Sequence, residues 1–133
     1  MIVFFGEHDG RSVVALSQGG RTLAEVSGLT TSDQLELLEQ ALVHSHARLE
    51  DLTGIVVDRG PGGFSTVRRR VAVAAGLSRS LDLPLAAVTG PFLAEDAAIL
   101  PETDFVRKAR IEPLYAGAPN ITASRKKKTW TAR

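Results

Sequence analysis

The 133-residue chain contains no cysteine, and only 5% of its residues are aromatic. The lack of cysteine excludes disulfide bonds, thiol nucleophiles and cysteine-ligated metals, and it agrees with a reducing compartment. No apolar run approaches the roughly 18 residues that indicate a membrane span, and the N-terminus lacks a basic segment followed by an apolar one. We therefore expect a cytoplasmic protein with no membrane contact and no signal peptide.

Charge is distributed unevenly along the chain. Residues 1–104 carry 8 basic and 14 acidic side chains, a net charge of −6, whereas residues 105–133 carry 8 basic and 1 acidic, a net charge of +7. Residues 123–133 show no hydrophobic periodicity. We predict one lobe over residues 1–120 and a basic, disordered tail over residues 121–133.

The hydrophobic pattern predicts the element order β-β-β-α-β-α-β. Short apolar runs separated by glycine-containing turns predict an antiparallel meander of three strands, Met1–Phe5, Ser12–Ser17 and Arg21–Val26. Longer periodic segments alternate with buried strands: helices over 33–48 and 64–81, strands over 54–57 and 85–88. This order is typical of an α/β fold with a mixed sheet and crossover helices. A short helix is expected within Pro91–Ile99, and Glu112–Ala116 is expected to form a strand or an extended arm.

The stretch from Val56 to Leu85 is the most informative. A strand leads into a glycine-rich loop and then into the helix Phe64–Leu81. One face of this helix carries Val67, Val71, Ala74, Ser78 and Leu81, while the other side carries Ala72, Val73 and Gly76. A helix that is apolar most of the way round is buried on two sides. One side can face the sheet, and the second, small-residue side requires more chain or a partner.

The loop and the helix start carry a specific sequence motif. The residues from Asp58 to Arg68 read DRGPGGFSTVR, which resembles the GRGPGSFTGLRIG motif of the TsaB (YeaZ) family of tRNA threonylcarbamoyladenosine biosynthesis proteins. Residues 113–115 and 118–120 resemble the family's PVYLR.P ending. The chain departs from the family at Gly6-Glu7-His8, where an Asp-Thr-Ser-like phosphate loop is usual, and at Arg69 and Arg70, which replace small or apolar residues.

The resemblance implies one half of an actin-like or ribonuclease H-like fold, with the second lobe largely absent. It also implies a non-catalytic subunit, with no catalytic residues and no cofactor, that binds a TsaD-like catalytic subunit and works with a TsaE-like ATPase. The complex would modify the adenosine after the anticodon of tRNA, and this chain would meet tRNA through the complex. The isolated chain is expected to form a homodimer through the surface that would otherwise bind the TsaD-like subunit.

The resemblance places the partner contact on the two helices. The residues expected to bind the partner are Leu37, Ala41, His44, Val67, Arg70, Val71, Ala74 and Ala75. The expected functional loop at the helix N-terminus comprises Gly60, Pro61, Gly62, Gly63 and Ser65. This loop has the features of an anion site, but it lacks the lysine of a P-loop, and a tight packing turn explains it as well.

Polar clusters elsewhere give weaker signals. Glu7, His8 and Asp9 have no identifiable distant partner, and His44 and His46 point in different directions on a helix, so no metal site is expected. Two other functions stay open: a small nucleotide-dependent enzyme of the actin-like class, and a stand-alone RNA-binding module.

Overall fold

The computed structural model describes residues 1–107 and 110–115 of the chain. Five strands and three α-helices follow one another in the order β1–β2–β3–α1–β4–α2–β5–α3. The strands are β1 Ile2–His8, β2 Arg11–Gln18, β3 Arg21–Gly28, β4 Gly54–Asp58 and β5 Leu85–Val88. The helices are α1 Gln34–His44, α2 Phe64–Leu81 and α3 Ala94–Ala98.

The strands form one mixed sheet in the spatial order β3-β2-β1-β4-β5. The first three strands pair antiparallel as two hairpins. Strand β4 lies parallel to β1, and β5 lies parallel to β4, so α1 and α2 are the crossover connections that parallel pairing requires. The carboxyl ends of β1, β4 and β5 therefore lie at the same end of the sheet. Open α/β sheets place their ligand sites at the carboxyl ends of their strands.

The two faces of the sheet are covered unequally. Helices α1 and α2 cover one face, where their buried side chains pack on those of β1, β2 and β4 around Phe5, Leu16 and Ile55. The short helix α3 covers the other face, where Ala94 and Ala97 pack beside Phe4. The molecule is thus a three-layer arrangement whose thick layer consists of the two longer helices.

The predicted element order is confirmed, and α2 and β5 have the predicted bounds. Strand β1 is longer than expected because Glu7 and His8 still pair with β2, so only Asp9 and Gly10 form the turn between the two strands. Helix α1 ends at His44 rather than Arg48. The Ser45 hydroxyl donates to the Ala41 carbonyl at 2.9 Å, and His46 adopts a left-handed φ of 53°, which ends the helix.

The two edges of the sheet differ. Strand β5 is flanked by Val106, which exchanges two backbone hydrogen bonds of 2.9 Å with Leu85. Strand β3 forms the other edge, carries the exposed charges Arg21 and Glu25, and is distorted by a register shift beside Leu16. None of the helices within the described residues has both the length and the hydrophobicity needed to cross a bilayer.

Candidate functional site

The loop after β4 is held by a distant segment of the chain. Gly60 has a φ of 104°, and a Cβ there would overlap the Leu114 carbonyl oxygen, so glycine is required. The Leu114 amide donates to the Arg59 carbonyl at 2.7 Å, and the Arg59 guanidinium donates to the Glu112 carbonyl at 3.1 Å. Residues 112–115 therefore form the extended arm that was one of the two sequence-based alternatives, with a single parallel bridge between Gly62 and Tyr115.

Asp58 joins this loop to the loop that follows β5. Its carboxylate accepts a hydrogen bond from the Gly60 amide at 2.9 Å and lies against Gly90, whose amide donates to the Gly60 carbonyl at 2.8 Å. The residue is only 3% exposed. Desolvation raises the pKa of the Asp58 carboxyl above its ordinary value of 3.8, against the opposing effects of the Gly60 amide and the Arg70 guanidinium.

The buried Arg70 side chain completes this polar network. Its Nε donates to the Asp58 carbonyl at 2.8 Å, and its Nη1 lies 3.3 Å from the Glu7 carboxylate. Arg70 is 1% exposed, so it anchors α2 to the ends of β4 and β1. Its expected role in partner binding is therefore corrected: the side chain that interrupts the apolar face of α2 is satisfied inside the chain, as a buried charge must be.

The raised pKa of Asp58 predicts a specific pH dependence of stability. Between pH 3.8 and the higher folded-state pKa, the folded protein keeps a proton that the unfolded chain releases. The contribution of Asp58 to the free energy of unfolding is thus full below pH 3.8 and declines as pH rises through the folded-state pKa. Urea titrations across this range should show the decline in the parent protein and its loss in Asp58→Asn. A difference between the two proteins that changed with pH in the opposite sense would contradict this assignment.

A shallow cavity of about 200 Å³ opens beside this network. Its lining includes three acidic side chains, Glu7, Asp9 and Asp58, against the single cation Arg70. The triphosphate of a nucleotide would therefore meet a net negative surface in this cavity. Glu7 belongs to the segment Gly6-Glu7-His8, which stands where the phosphate loop was expected from the resemblance. Among residues 1–107 and 110–115, no group of three or more metal-ligating side chains is placed to hold a metal ion. His8 pairs with its neighbour Asp9 at 3.3 Å, and both side chains are largely exposed.

The two helices have one face on the sheet and one face uncovered. Six of the eight residues expected at the partner surface are buried on the sheet side. They are Leu37, Ala41, Val67, Arg70, Val71 and Ala74. The expectation that these side chains form an exposed interface is therefore corrected, because Arg70 belongs to the polar network and the other five build the core between the helices and the sheet. Ala75 is partly exposed and His44 is exposed.

The uncovered face of α1 and α2 contains residues that the sequence analysis did not assign to the site. Between the helices lies a groove of about 740 Å³ whose apolar lining includes Leu35, Leu42 and Leu77. Leu35 is 49% exposed, and Gly76 is exposed with open space where a Cβ would point. We call this groove, together with the exposed Gly76 of α2, the two-helix face. The signal for it was the second apolar side of α2, Ala72, Val73 and Gly76.

At the N-terminal end of α2, three of the loop residues are exposed and one is partly exposed. Pro61, Gly63 and Ser65 are exposed, and Gly62 is partly exposed. Gly60 is buried beneath the arm. Gly60 therefore forms a tight turn on which the arm packs. The residues that follow it are exposed or partly exposed at the start of α2.

Comparison with known proteins finds matches over this central region. The model of the family described as "TsaD: tRNA N6-adenosine threonylcarbamoyltransferase" matches residues 27–90, which include both α1 and α2. A tRNA N6-adenosine threonylcarbamoyltransferase of Paracoccus denitrificans is 37% identical over 70 residues, 52% of this chain and 20% of the relative. A tRNA threonylcarbamoyladenosine biosynthesis protein TsaB of Buchnera aphidicola is 40% identical over 50 residues, 38% of this chain and 23% of the relative. The matches thus span about one fifth of these curated relatives.

Solved structures share the fold. YeaZ from Pseudomonas aeruginosa superimposes with a TM-score of 0.59 at 26% sequence identity, covering 66% of this chain and 44% of that chain. A second structure, an uncharacterized protein similar to peptidase YeaZ from Pseudomonas aeruginosa, gives a TM-score of 0.60 at 19% identity over 94% of this chain and 72% of that chain. The fold is one lobe of the actin-like or ribonuclease H-like architecture, as the family resemblance implied.

Proposed function

We propose, from its likeness to TsaB and YeaZ, that this chain is a non-catalytic subunit of a complex that adds threonylcarbamoyl to the adenosine following the anticodon of tRNA. Its role is to bind a TsaD-like catalytic subunit through the two-helix face, and a TsaE-like ATPase completes the complex. The observation that carries this proposal is the uncovered apolar groove between α1 and α2.

The shape and composition of this face fit a helical partner. Leu35, Leu42 and Leu77 supply apolar lining, and the exposed Gly76 allows another helix to approach the α2 backbone closely. Acidic side chains, Glu36 and Glu39, line the same groove beside the leucines. An apolar centre with charged surroundings is the usual anatomy of a protein–protein interface.

A non-catalytic role agrees with the polar network of Asp58, Arg70 and Glu7 at the carboxyl ends of β4 and β1. The buried Arg70 pairs with the partly exposed Glu7 at 3.3 Å, so this acid is engaged in an ion pair. The acidic lining of the adjacent cavity opposes a nucleotide phosphate. We therefore place the chemistry on the partner subunit and expect no tight nucleotide binding by this chain alone.

Gly76→Arg should weaken partner binding while the chain stays folded. The glycine is exposed, lies in the middle of α2 and has no heavy atom within 4 Å of a built Cβ. Glycine lies roughly 0.8–1 kcal/mol below alanine in helix propensity and arginine lies close to alanine, so stability should not fall. Isothermal titration against the TsaD-like subunit of the source cell should show affinity reduced at least about tenfold, or ~1.4 kcal/mol.

The matched control is Gln18→Arg, which adds the same side chain at an exposed position at the end of β2 that does not line the groove. This variant should bind the partner as the parent does. Undiminished binding by Gly76→Arg would rule out the two-helix face as the contact. Sedimentation of the same two variants tests the homodimer that we propose for the isolated chain, because an uncovered apolar face is most simply closed by a second copy.

A further inference from the structure

A second exposed feature lies at the start of α2, beyond the groove. Phe64 is 47% exposed although it is a large apolar residue. Its ring packs on Tyr115 of the arm, with a centroid distance of 4.5 Å. The Arg68 guanidinium carbon lies 5.9 Å from the centroid of the Phe64 ring. The arm thus holds an aromatic pair at the surface, with a cation beside it.

Cationic and aromatic side chains enclose a small depression here. Its volume is about 310 Å³, and it is lined by Phe64, Ser65, Arg68, Arg69 and Ala72. The Arg69 guanidinium also donates to the Thr30 carbonyl at 3.3 Å, which orients this side chain along the surface. We call this depression the aromatic–arginine pocket.

The charge of the aromatic–arginine pocket is opposite to that of the surrounding lobe. Its lining contains two arginines and no acidic residue, whereas residues 1–104 carry a net charge of −6. Both arginines are exposed, and neither belongs to the core. A local positive site on an acidic lobe favours an anionic ligand.

We infer that the aromatic–arginine pocket binds one nucleotide of a single-stranded RNA segment. The base would stack on the Phe64 ring or the Arg68 guanidinium plane, and the phosphate would pair with Arg68 and Arg69. Aromatic rings and arginine planes hold unstacked bases, and the arginine fork suits phosphate oxygens. An aromatic ring adds nothing to the binding of a bare anion, so the combination favours RNA over an acidic protein segment.

This inference deepens the proposed function, and it rests on that function only for the identity of the RNA as a tRNA. It gives this subunit a direct contact with the nucleic acid rather than a contact through the complex alone. The pocket borders the two-helix face at Ala72. RNA held there would lie beside the partner subunit.

The test uses the full chain and a short fluorescein-labelled single-stranded RNA of mixed sequence, with fluorescence anisotropy read over a series of NaCl concentrations. Phe64→Leu keeps an apolar side chain and removes the ring. It should weaken binding by between about fivefold and about 150-fold, the equivalent of losing one stacked base. Arg68→Gln combined with Arg69→Gln should weaken binding and lower the slope of log Kd against log salt by about 0.7 for each phosphate that the protein no longer neutralises.

The matched control is Arg79→Gln, an exposed arginine near the other end of α2. It removes the same charge and should change neither the affinity nor the salt slope by a comparable amount. All variants keep the basic side chains of residues 121–133. Any contribution of that segment to RNA affinity is therefore common to the parent and the variants. Thermal melting of each variant confirms that it is folded.

Parent-like RNA binding by either Phe64→Leu or the double arginine variant would overturn the inference. If the arginine variant with unchanged RNA affinity also lost binding to the TsaD-like subunit, the pocket would be a contact for an acidic protein surface. Unchanged affinity of Gly76→Arg for the TsaD-like subunit would count against the proposed function. The test of RNA binding does not depend on that result.

Discussion

Ala74→Arg is expected to unfold the chain. Ala74 is 0% exposed and lies in the core between α2 and the sheet. An arginine there has no space for its side chain and no partner for its charge, so both overpacking and desolvation oppose folding. We expect a loss of about 4 kcal/mol or more, a large part of the roughly 5–15 kcal/mol that stabilises a small domain.

Circular dichroism and a urea titration measure this effect directly. Gly76→Arg is the matched control, because it puts the same side chain two positions further along the same helix but on the exposed side. The control should melt near the parent temperature while Ala74→Arg lacks a cooperative transition. A folded Ala74→Arg variant would show that this side of α2 does not face the sheet.

Arg70→Met is expected to lower the free energy of unfolding by about 1–3 kcal/mol, because it leaves the buried Asp58 carbonyl without its donor, while the partly exposed Glu7 can regain water. Methionine fills a similar volume but cannot donate to the Asp58 carbonyl or pair with Glu7. The Asp58 carboxyl would also lose the nearby cation that opposes its raised pKa. Its pKa should therefore rise further, and the pH-dependent part of stability should move to higher pH.

Arg79→Met is the control for loss of an arginine on the same helix. Arg79 is exposed, and surface substitutions of this kind usually change stability by no more than about 0.5 kcal/mol. Urea titrations of both variants at two pH values separate the network from general charge effects. Equal stability of Arg70→Met and Arg79→Met would contradict the structural role of Arg70.

The sequence predicted the helix α2 to its terminal residues because its start follows a glycine loop and its end precedes Pro84. It also predicted that α2 has two apolar sides. It could not tell which side faces the sheet, because both carry small or branched residues and periodicity gives only their angular separation. The partner residues were therefore placed on the buried side around Ala74 rather than on the exposed side around Gly76.

Arg70 illustrates a second limit of the sequence. Its position on an apolar arc of α2 was visible, but its partner Glu7 lies 63 residues earlier in the chain. Only the parallel pairing of β1 with β4 brings the two together. The arm was similarly left between two alternatives because its contacts are with Arg59 and Gly60, more than fifty residues away. The tail predicted for residues 121–133, and the motif match at 118–120, lie outside the described residues.

The unequal edges of the sheet bear on how the molecule associates with others. An edge strand with free backbone groups is a template for adding further strands, and long flat edges lead to aggregation. Here Val106 occupies the β5 edge, while charged side chains and an irregular register interrupt the β3 edge. Among the described residues, strand-to-strand polymerisation is thereby discouraged on both sides, which agrees with the proposal that the molecule assembles through side-chain packing on its helical layer.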